Sequence, residues 1–370
     1  MNDHLTIPED LLPSDGRFGS GPSKVPVTTL AALADSSTSI MGTSHRRPAV
    51  KNLVGAVRSR LKDLFGLPDG YEVLLSNGGA TLFWDAAAFS LIRTKSEHLV
   101  FGEFSSKFAT AVKNAPHLGG VVEVKADYGS CPEVVEDPSV DLYAFTHNET
   151  STGVMAPLSR PAGNALVAVD ATSAAGTVLV DPSVFDVYYF SPQKAFASDG
   201  GIWFGLFSPA AIARVEEIKA SGRYLPSSLD LSIAVQNSRE NQTYNTPALA
   251  TLFLMNETLA WMELHGGLEF AAKRCATSAA TIYGWAERSA FAAPYVTDPK
   301  IRSQAVATID FDESVDAAQV AKTLRSNGIV DTEPYRKLGR NQLRIALFPA
   351  IDPSDIEALT TCIDYVVERL

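Results

Sequence analysis

Two ionisable residues end consecutive apolar runs, and their types suit one kind of chemistry. Asp170 closes ALVAVD (165–170), and Lys194 follows DVYYFSPQ (186–193), 24 positions further on. Neither type is commonly buried without a partner. Each has a plain role open to it, Asp170 as a helix N-cap and Lys194 as a solvated loop charge. Placed together they read differently. An amine freed of solvent and proton attacks carbonyl carbon, and a carboxylate at the tip of a buried strand needs a cation to meet. Two further polar turns follow apolar runs. YEVLLS (71–76) leads into Asn77-Gly78-Gly79-Ala80-Thr81 and a helix. Small residues there let backbone amides face a phosphate at the helix N-terminus, although an ordinary capped turn wants the same residues. DLYAFT (141–146) leads into His147-Asn148-Glu149-Thr150-Ser151-Thr152-Gly153, which is either turn chemistry or the surround of a polar ligand.

These turns can converge only if the runs before them are strands of one sheet. Short apolar runs alternate with helical stretches from about residue 48, where Val50, Leu53, Val54, Val57, Leu61 and Leu64 recur at helical steps. Several runs are apolar throughout, which predicts a mostly parallel sheet covered by helices on both faces. In such sheets ligands lie outside the carboxyl ends of the strands, where Asp170, Lys194 and the two polar turns fall. A long helical segment spans 247–287. After it, AVATIDF, DAAQVAKTLRSNG and NQLRIALFP form a β-α-β pattern with a closing helix. The expected division is an N-terminal arm (1–26), a large domain (27–262) and a small α+β domain (263–370).

Composition narrows the function. With 46% hydrophobic residues the chain has ample core material, and a net charge of −11 argues against a nucleic-acid or anionic-membrane partner. Three scattered cysteines without a C-x-x-C point to a reducing, cytoplasmic setting. The first residues lack the apolar core of a signal peptide, and no apolar run is long enough to span a bilayer. No metal site is expected. Pyridoxal phosphate chemistry uses the parts found above, a reactive amine, a carboxylate for the pyridinium nitrogen and a phosphate cup, and an Arg for the substrate carboxylate would complete the set.

The motifs FGSGPSKVP (18–26), MGTSHRRP (41–48), SNGGAT, GEFSSKF, HNET, VDATSAAG, SPQKAFASDGG (191–201) and YNTP (244–247) occur in this order over nearly the whole chain. In them the sequence resembles the class V aminotransferases of pyridoxal phosphate fold type I, and within these most closely the phosphoserine aminotransferase family. Gln193 before the lysine discriminates, because cysteine desulfurases resemble Ser-x-His-Lys there. The resemblance implies a seven-stranded, mostly parallel sheet sandwiched by helices, a smaller α+β C-terminal domain, and pyridoxal phosphate as cofactor. It makes Lys194 the Schiff-base lysine and Asp170 the partner of the ring nitrogen. Ala80, Thr81 and Gln193 would hold the cofactor phosphate, Phe104 would stack on the ring, and Thr150 would touch its hydroxyl side. Asn245 and Thr246 would reach the cofactor phosphate of the neighbouring subunit, which implies a homodimer with shared sites; they also suit a helix cap before Pro247.

For substrate, the resemblance gives Arg344 the α-carboxylate, and gives His45 and Arg46 the distal anion; a solvated basic turn is the plainer reading of His45-Arg46-Arg47. Many relatives carry Gly-Gly-Arg where this chain has Gly79-Ala80-Thr81. Arg336, Lys337 and Arg340 in YRKLGRNQLR (335–344) are expected to replace the missing basic contact. The implied reaction exchanges an amino group between glutamate and 3-phosphohydroxypyruvate, in serine biosynthesis or on a vitamin B6-pathway phospho-amino acid. The rivals are a serine or alanine aminotransferase using pyruvate or glyoxylate, an NAD- or nucleotide-binding α/β protein, and a non-catalytic descendant of the fold.

Overall fold

The computed structural model describes residues 5–370, so the first four residues of the expected arm lie outside the described residues. The strands are β1 (Glu72–Asn77), β2 (Lys95–Val100), β3 (Gly120–Lys125), β4 (Leu142–Thr146), β5 (Asn148–Glu149), β6 (Val154–Met155), β7 (Leu166–Asp170), β8 (Val187–Phe190), β9 (Ile202–Phe207), β10 (Ala292–Pro294), β11 (Val306–Phe311) and β12 (Gln342–Ala346). The α-helices are α1 (Val27–Ile40), α2 (Pro48–Leu64), α3 (Gly79–Ser90), α4 (Glu103–Lys113), α5 (Pro209–Ala220), α6 (Leu231–Arg239), α7 (Leu249–His265), α8 (Gly267–Arg288), α9 (Ala317–Ser326) and α10 (Pro353–Val367).

Seven strands form the large sheet in the order β1-β9-β8-β7-β4-β2-β3, with only β9 running against the rest. Its central strands β4, β7, β8 and β9 are buried at every position. Helices cover both faces, so alternate residues of one strand enter opposite cores. Tyr143, Phe145, Val167 and Val169 pack with α2 and α7. Leu142, Ala144, Leu166 and Ala168 pack with α3 to α6. The predicted helical stripe of α2 is the buried one, from Val50 to Leu61, behind a proline at the first turn.

The continuous helix expected over 247–287 is two. Gly266 (φ 116°) and Gly267 (φ 69°) adopt left-handed backbone, ending α7 and starting α8. Beyond this break, α8, α9 and α10 cover a three-stranded antiparallel sheet, β10-β11-β12, with its own core. The N-terminal segment does more than lie over the surface. Ile7 and Phe18 are buried in this second core. The Phe18 N–H donates to Val330 O, and the Ala346 N–H donates to Phe18 O. From there residues 19–23 run to the carboxyl edge of the large sheet, where the Ser23 N–H donates to Gln193 O. No helix among the described residues is long and apolar enough to cross a membrane.

Candidate active site

Register sets the site. Thr146, Asp170 and Tyr189 are Cα partners across β4, β7 and β8, so the carboxyl ends of these strands lie side by side. Beyond β1 the chain turns through Gly78 (φ 111°) into α3. A Cβ on Gly78 would lie 2.3 Å from Leu82 Cδ2, so only glycine fits this entry. The ends of these elements surround a cavity of about 400 Å³.

Lys194 enters the cavity from the segment after β8 and is only 8% exposed. Its Nζ donates to Ser20 O at 2.6 Å. The N-terminal segment must approach closely to do this: a Cβ on Gly21 would lie 2.3 Å from Nζ. Burial, and then the charge of Arg344, lower the amine's pKa to about 8, while Asp170 and Glu149 act in the opposite direction. Half the amine is therefore neutral near pH 8, where an ordinary lysine, with a pKa of about 10.4, is almost wholly charged.

Asp170, 5% exposed, is held at both oxygens. Oδ1 accepts from the Thr172 N–H (3.0 Å) and hydroxyl (2.6 Å), and Oδ2 accepts from Trp84 Nε1 (2.9 Å). Burial raises the carboxyl pKa, and these bonds work against it. Glu149 is buried beneath the start of α4. Its carboxylate accepts the backbone N–H groups of Phe104 (3.1 Å) and Ser105 (2.9 Å) and the hydroxyls of Ser105 and Ser151. An anion at a helix N-terminus is favourably placed, and this one fixes Phe104 at the cavity wall. Thr150 Oγ1 lies 2.7 Å from Ser173 Oγ.

Of the residues singled out from the sequence, Ala80, Thr81, Phe104, Thr150, Asp170, Gln193 and Lys194 line this one cavity. Arg344 stands behind its rim, with Nη1 donating to Thr150 O (3.3 Å) and the Tyr335 ring 5.2 Å from its guanidinium. His45, Arg46, Asn245 and Thr246 are gathered elsewhere. Thr246 Oγ1 meets His45 Nδ1 at 3.1 Å, Asn77 Nδ2 donates to Thr246 O and to Asn245 Oδ1, and Arg46 donates to Gln242 Oε1. These four residues do not line the cavity. Arg340 is engaged by Asp310 and lies over Tyr295. Arg336 is exposed on a short turn beside Lys337, which pairs with Glu103. Sequence reasoning passed over Ser20, Trp84, Thr172, Ser173 and Tyr335. Thr172 and Ser173 lie two and three positions after Asp170 and had a local signal; the others meet the site only through the tertiary fold.

The residues present fit pyridoxal phosphate. Asn148 Oδ1 and Gln193 Oε1 are buried at the cavity without a partner, and buried polar atoms in that state call for one. The small-residue turn before α3 offers amides to a phosphate, and Asp170 faces the same space. The sequence model of the family "Aminotransferase class-V" matches residues 17–332. The chain belongs to the class V aminotransferases. Among relatives in this family, the phosphoserine aminotransferase of Rhodococcus jostii is 61% identical over 98% of both chains. The structure resembles that of a phosphoserine aminotransferase from Cytophaga hutchinsonii, with a TM-score of 0.88 at 24% identity, covering 95% of this chain and 99% of that one. An alanine–glyoxylate aminotransferase from Nostoc sp. also matches, with a TM-score of 0.79 at 19% identity and complete coverage of both chains. The fold is thus shared by aminotransferases named for different substrates.

Proposed function

We propose that this class V aminotransferase uses pyridoxal phosphate to exchange the amino group between glutamate and 3-phosphohydroxypyruvate, giving 2-oxoglutarate and O-phosphoserine. The observation that carries the reading is a buried amine, Lys194, in one cavity with the anchored carboxylate of Asp170. Full-length identity to relatives named for phosphoserine supports the substrate. A cytoplasmic role in making serine follows from that chemistry, and a vitamin B6-pathway phospho-amino acid is a second substrate to assay.

Bound here, pyridoxal phosphate supplies an electrophilic aldehyde and a protonatable ring that accepts the electron pair left at the substrate's Cα. Ala80, Thr81 and Gln193 would hold its phosphate, Phe104 and Thr150 its ring, and Asp170 its ring nitrogen. Lys194 would hold the cofactor covalently and would act as the base and acid that moves the proton at the substrate's Cα. An amine whose pKa is about 8 in the cofactor-free protein is suited to both directions of that transfer. Arg344 orients the α-carboxylate through its planar fork. Both substrates carry an α-carboxylate and a distal anion, so one set of cations serves both halves of the ping-pong cycle.

The distal anion is assigned to Arg336 and, from a second subunit, His45 and Arg46. In their own subunit these last two stand with Asn245 and Thr246 outside the cavity. Val27, Leu30, Met41 and Tyr244 are exposed on the adjoining segments, as expected of a surface that a second copy covers. The homodimer would bring Asn245 and Thr246 to the partner's cofactor phosphate. Burial and the charge of Arg46 lower the pKa of His45, and a bound phosphate would reverse that. Arg340 has the weaker claim because Asp310 engages it.

Initial rates with O-phosphoserine, serine and alanine, each with 2-oxoglutarate, pyruvate and glyoxylate, test the substrate assignment. The phosphorylated donor with 2-oxoglutarate should dominate. A preference for alanine or serine with pyruvate or glyoxylate would overturn it.

A further inference from the structure

One of the donors on Asp170 comes from a side chain that neither the strand nor its turn requires. Trp84 lies on the second turn of α3, is buried, and lines the cavity. Its ring stacks on Phe108 with centroids 6.3 Å apart and planes 19° apart, which fixes the direction of the indole N–H. That N–H meets Asp170 Oδ2 at 2.9 Å, while Thr172 occupies Oδ1. The bond is not a default of buried tryptophan here, because Trp203 Nε1 is buried with no partner.

We propose that Trp84 is a positioning residue for transamination: its indole N–H orients Asp170 Oδ2 and favours the charged carboxylate, leaving a lone pair of that oxygen for the cofactor's ring nitrogen. The inference rests on the pyridoxal phosphate reading above. A hydrogen bond to an ionised acceptor is stronger than a neutral one. Removing it makes the carboxylate hold a proton more tightly. With the cofactor bound, its ring nitrogen would then compete less well with Asp170 for the proton between them, and the ring would be a weaker electron sink. Besides Trp84 and Thr172, the Tyr189 hydroxyl acts on the Asp170 carboxylate and favours its charged form, and Lys194 and Tyr188 sense that charge.

Trp84→Phe keeps the aromatic packing and deletes the donor. It should lower kcat about 10- to 100-fold, the rate equivalent of a lost hydrogen bond to a charged group, with KM for the amino donor little changed. The pH titration of the bound cofactor's visible absorption should be displaced from that of the wild type. A kcat within about twofold of wild type and an unmoved titration would overturn the proposal. A second measurement needs neither the cofactor nor a folded Trp84 variant. The chain has four tryptophans, so indole ¹⁵N-labelled, cofactor-free protein gives four indole signals. In Asp170→Ala one of them should move upfield, toward the position of an unbonded N–H. Four unmoved signals would refute the bond itself. This arm is independent of the catalytic reading, whose own failure would appear as wild-type protein that pyridoxal phosphate does not colour.

Discussion

Lys194→Met keeps a long unbranched stem in the cavity and removes the amine. In the folded chain burial and Arg344 hold that amine's pKa at about 8, against about 10.4 in an unfolded chain. The unfolded chain therefore binds the proton more tightly, and Lys194 destabilises the cofactor-free fold at neutral pH. The gap amounts to ~3 kcal/mol at pH 7. It shrinks once the folded state has shed its proton, to ~2 kcal/mol at pH 9, and vanishes above about pH 10.5. The methionine also loses the bond to Ser20 O, a loss of ~1 kcal/mol that does not depend on pH over this range. Cofactor-free Lys194→Met should thus be more stable than wild type by ~2 kcal/mol at pH 7 and by ~1 kcal/mol at pH 9. Urea unfolding of both proteins at the two pH values measures this. A methionine variant less stable than wild type at pH 7, or a difference equal at both pH values, would refute the claim that burial lowers this amine's pKa. Active sites are commonly held at the expense of stability, and here the penalty has a named residue.

Arg344→Gln removes the fork for the α-carboxylate and should lower kcat/KM about 10- to 100-fold, the scale of lost charge-assisted bonds. Because the Arg344 charge lowers the Lys194 pKa, the pH of half-maximal cofactor capture should also rise above about 8 in that variant. Glu149→Gln places an amide against the donors at the start of α4, so the thermal midpoint should fall by the equivalent of ~1–3 kcal/mol, read by calorimetry. Gly21→Ala would set a methyl 2.4 Å from Lys194 Cε; cofactor capture should slow while the far-UV circular dichroism stays unchanged. Mixing inactive Lys194→Ala and Arg46→Ala dimers should restore about a quarter of wild-type activity, since half the molecules would be hybrids with one intact site. Silence of the mixture after confirmed subunit exchange would show that Arg46 serves its own cavity.

Much of this architecture was legible in the sequence because it depends on short-range pattern. LVAV (166–169) and VYYF (187–190) are apolar throughout, as the interior of a strand buried on both faces must be. Asp170 and Lys194 end such runs, so their meeting at one sheet edge follows from a parallel order. The glycines at 78 and 79 announced the turn into α3. What escaped was long-range or conformational. Nothing near Ser20 marks it as the acceptor for an amine 174 positions away, and nothing near Trp84 points to Asp170 across 86 positions. The break between α7 and α8 rested on Gly266-Gly267 inside a continuous helical pattern, where only the left-handed backbone decides. Arg340 reads from sequence like Arg344, but Arg340 belongs to Asp310 on the neighbouring strand, while Arg344 donates to the backbone of Thr150, which lines the cavity.

The central claim is that Lys194 is the amine that bonds the cofactor. Borohydride reduction of the protein loaded with pyridoxal phosphate, followed by peptide mapping, tests it directly. The reduced pyridoxyl group should be found on the peptide carrying Lys194, one per chain, and should be absent from Lys194→Ala. A pyridoxyl group on another lysine, or the same labelling in the alanine variant, would contradict the account.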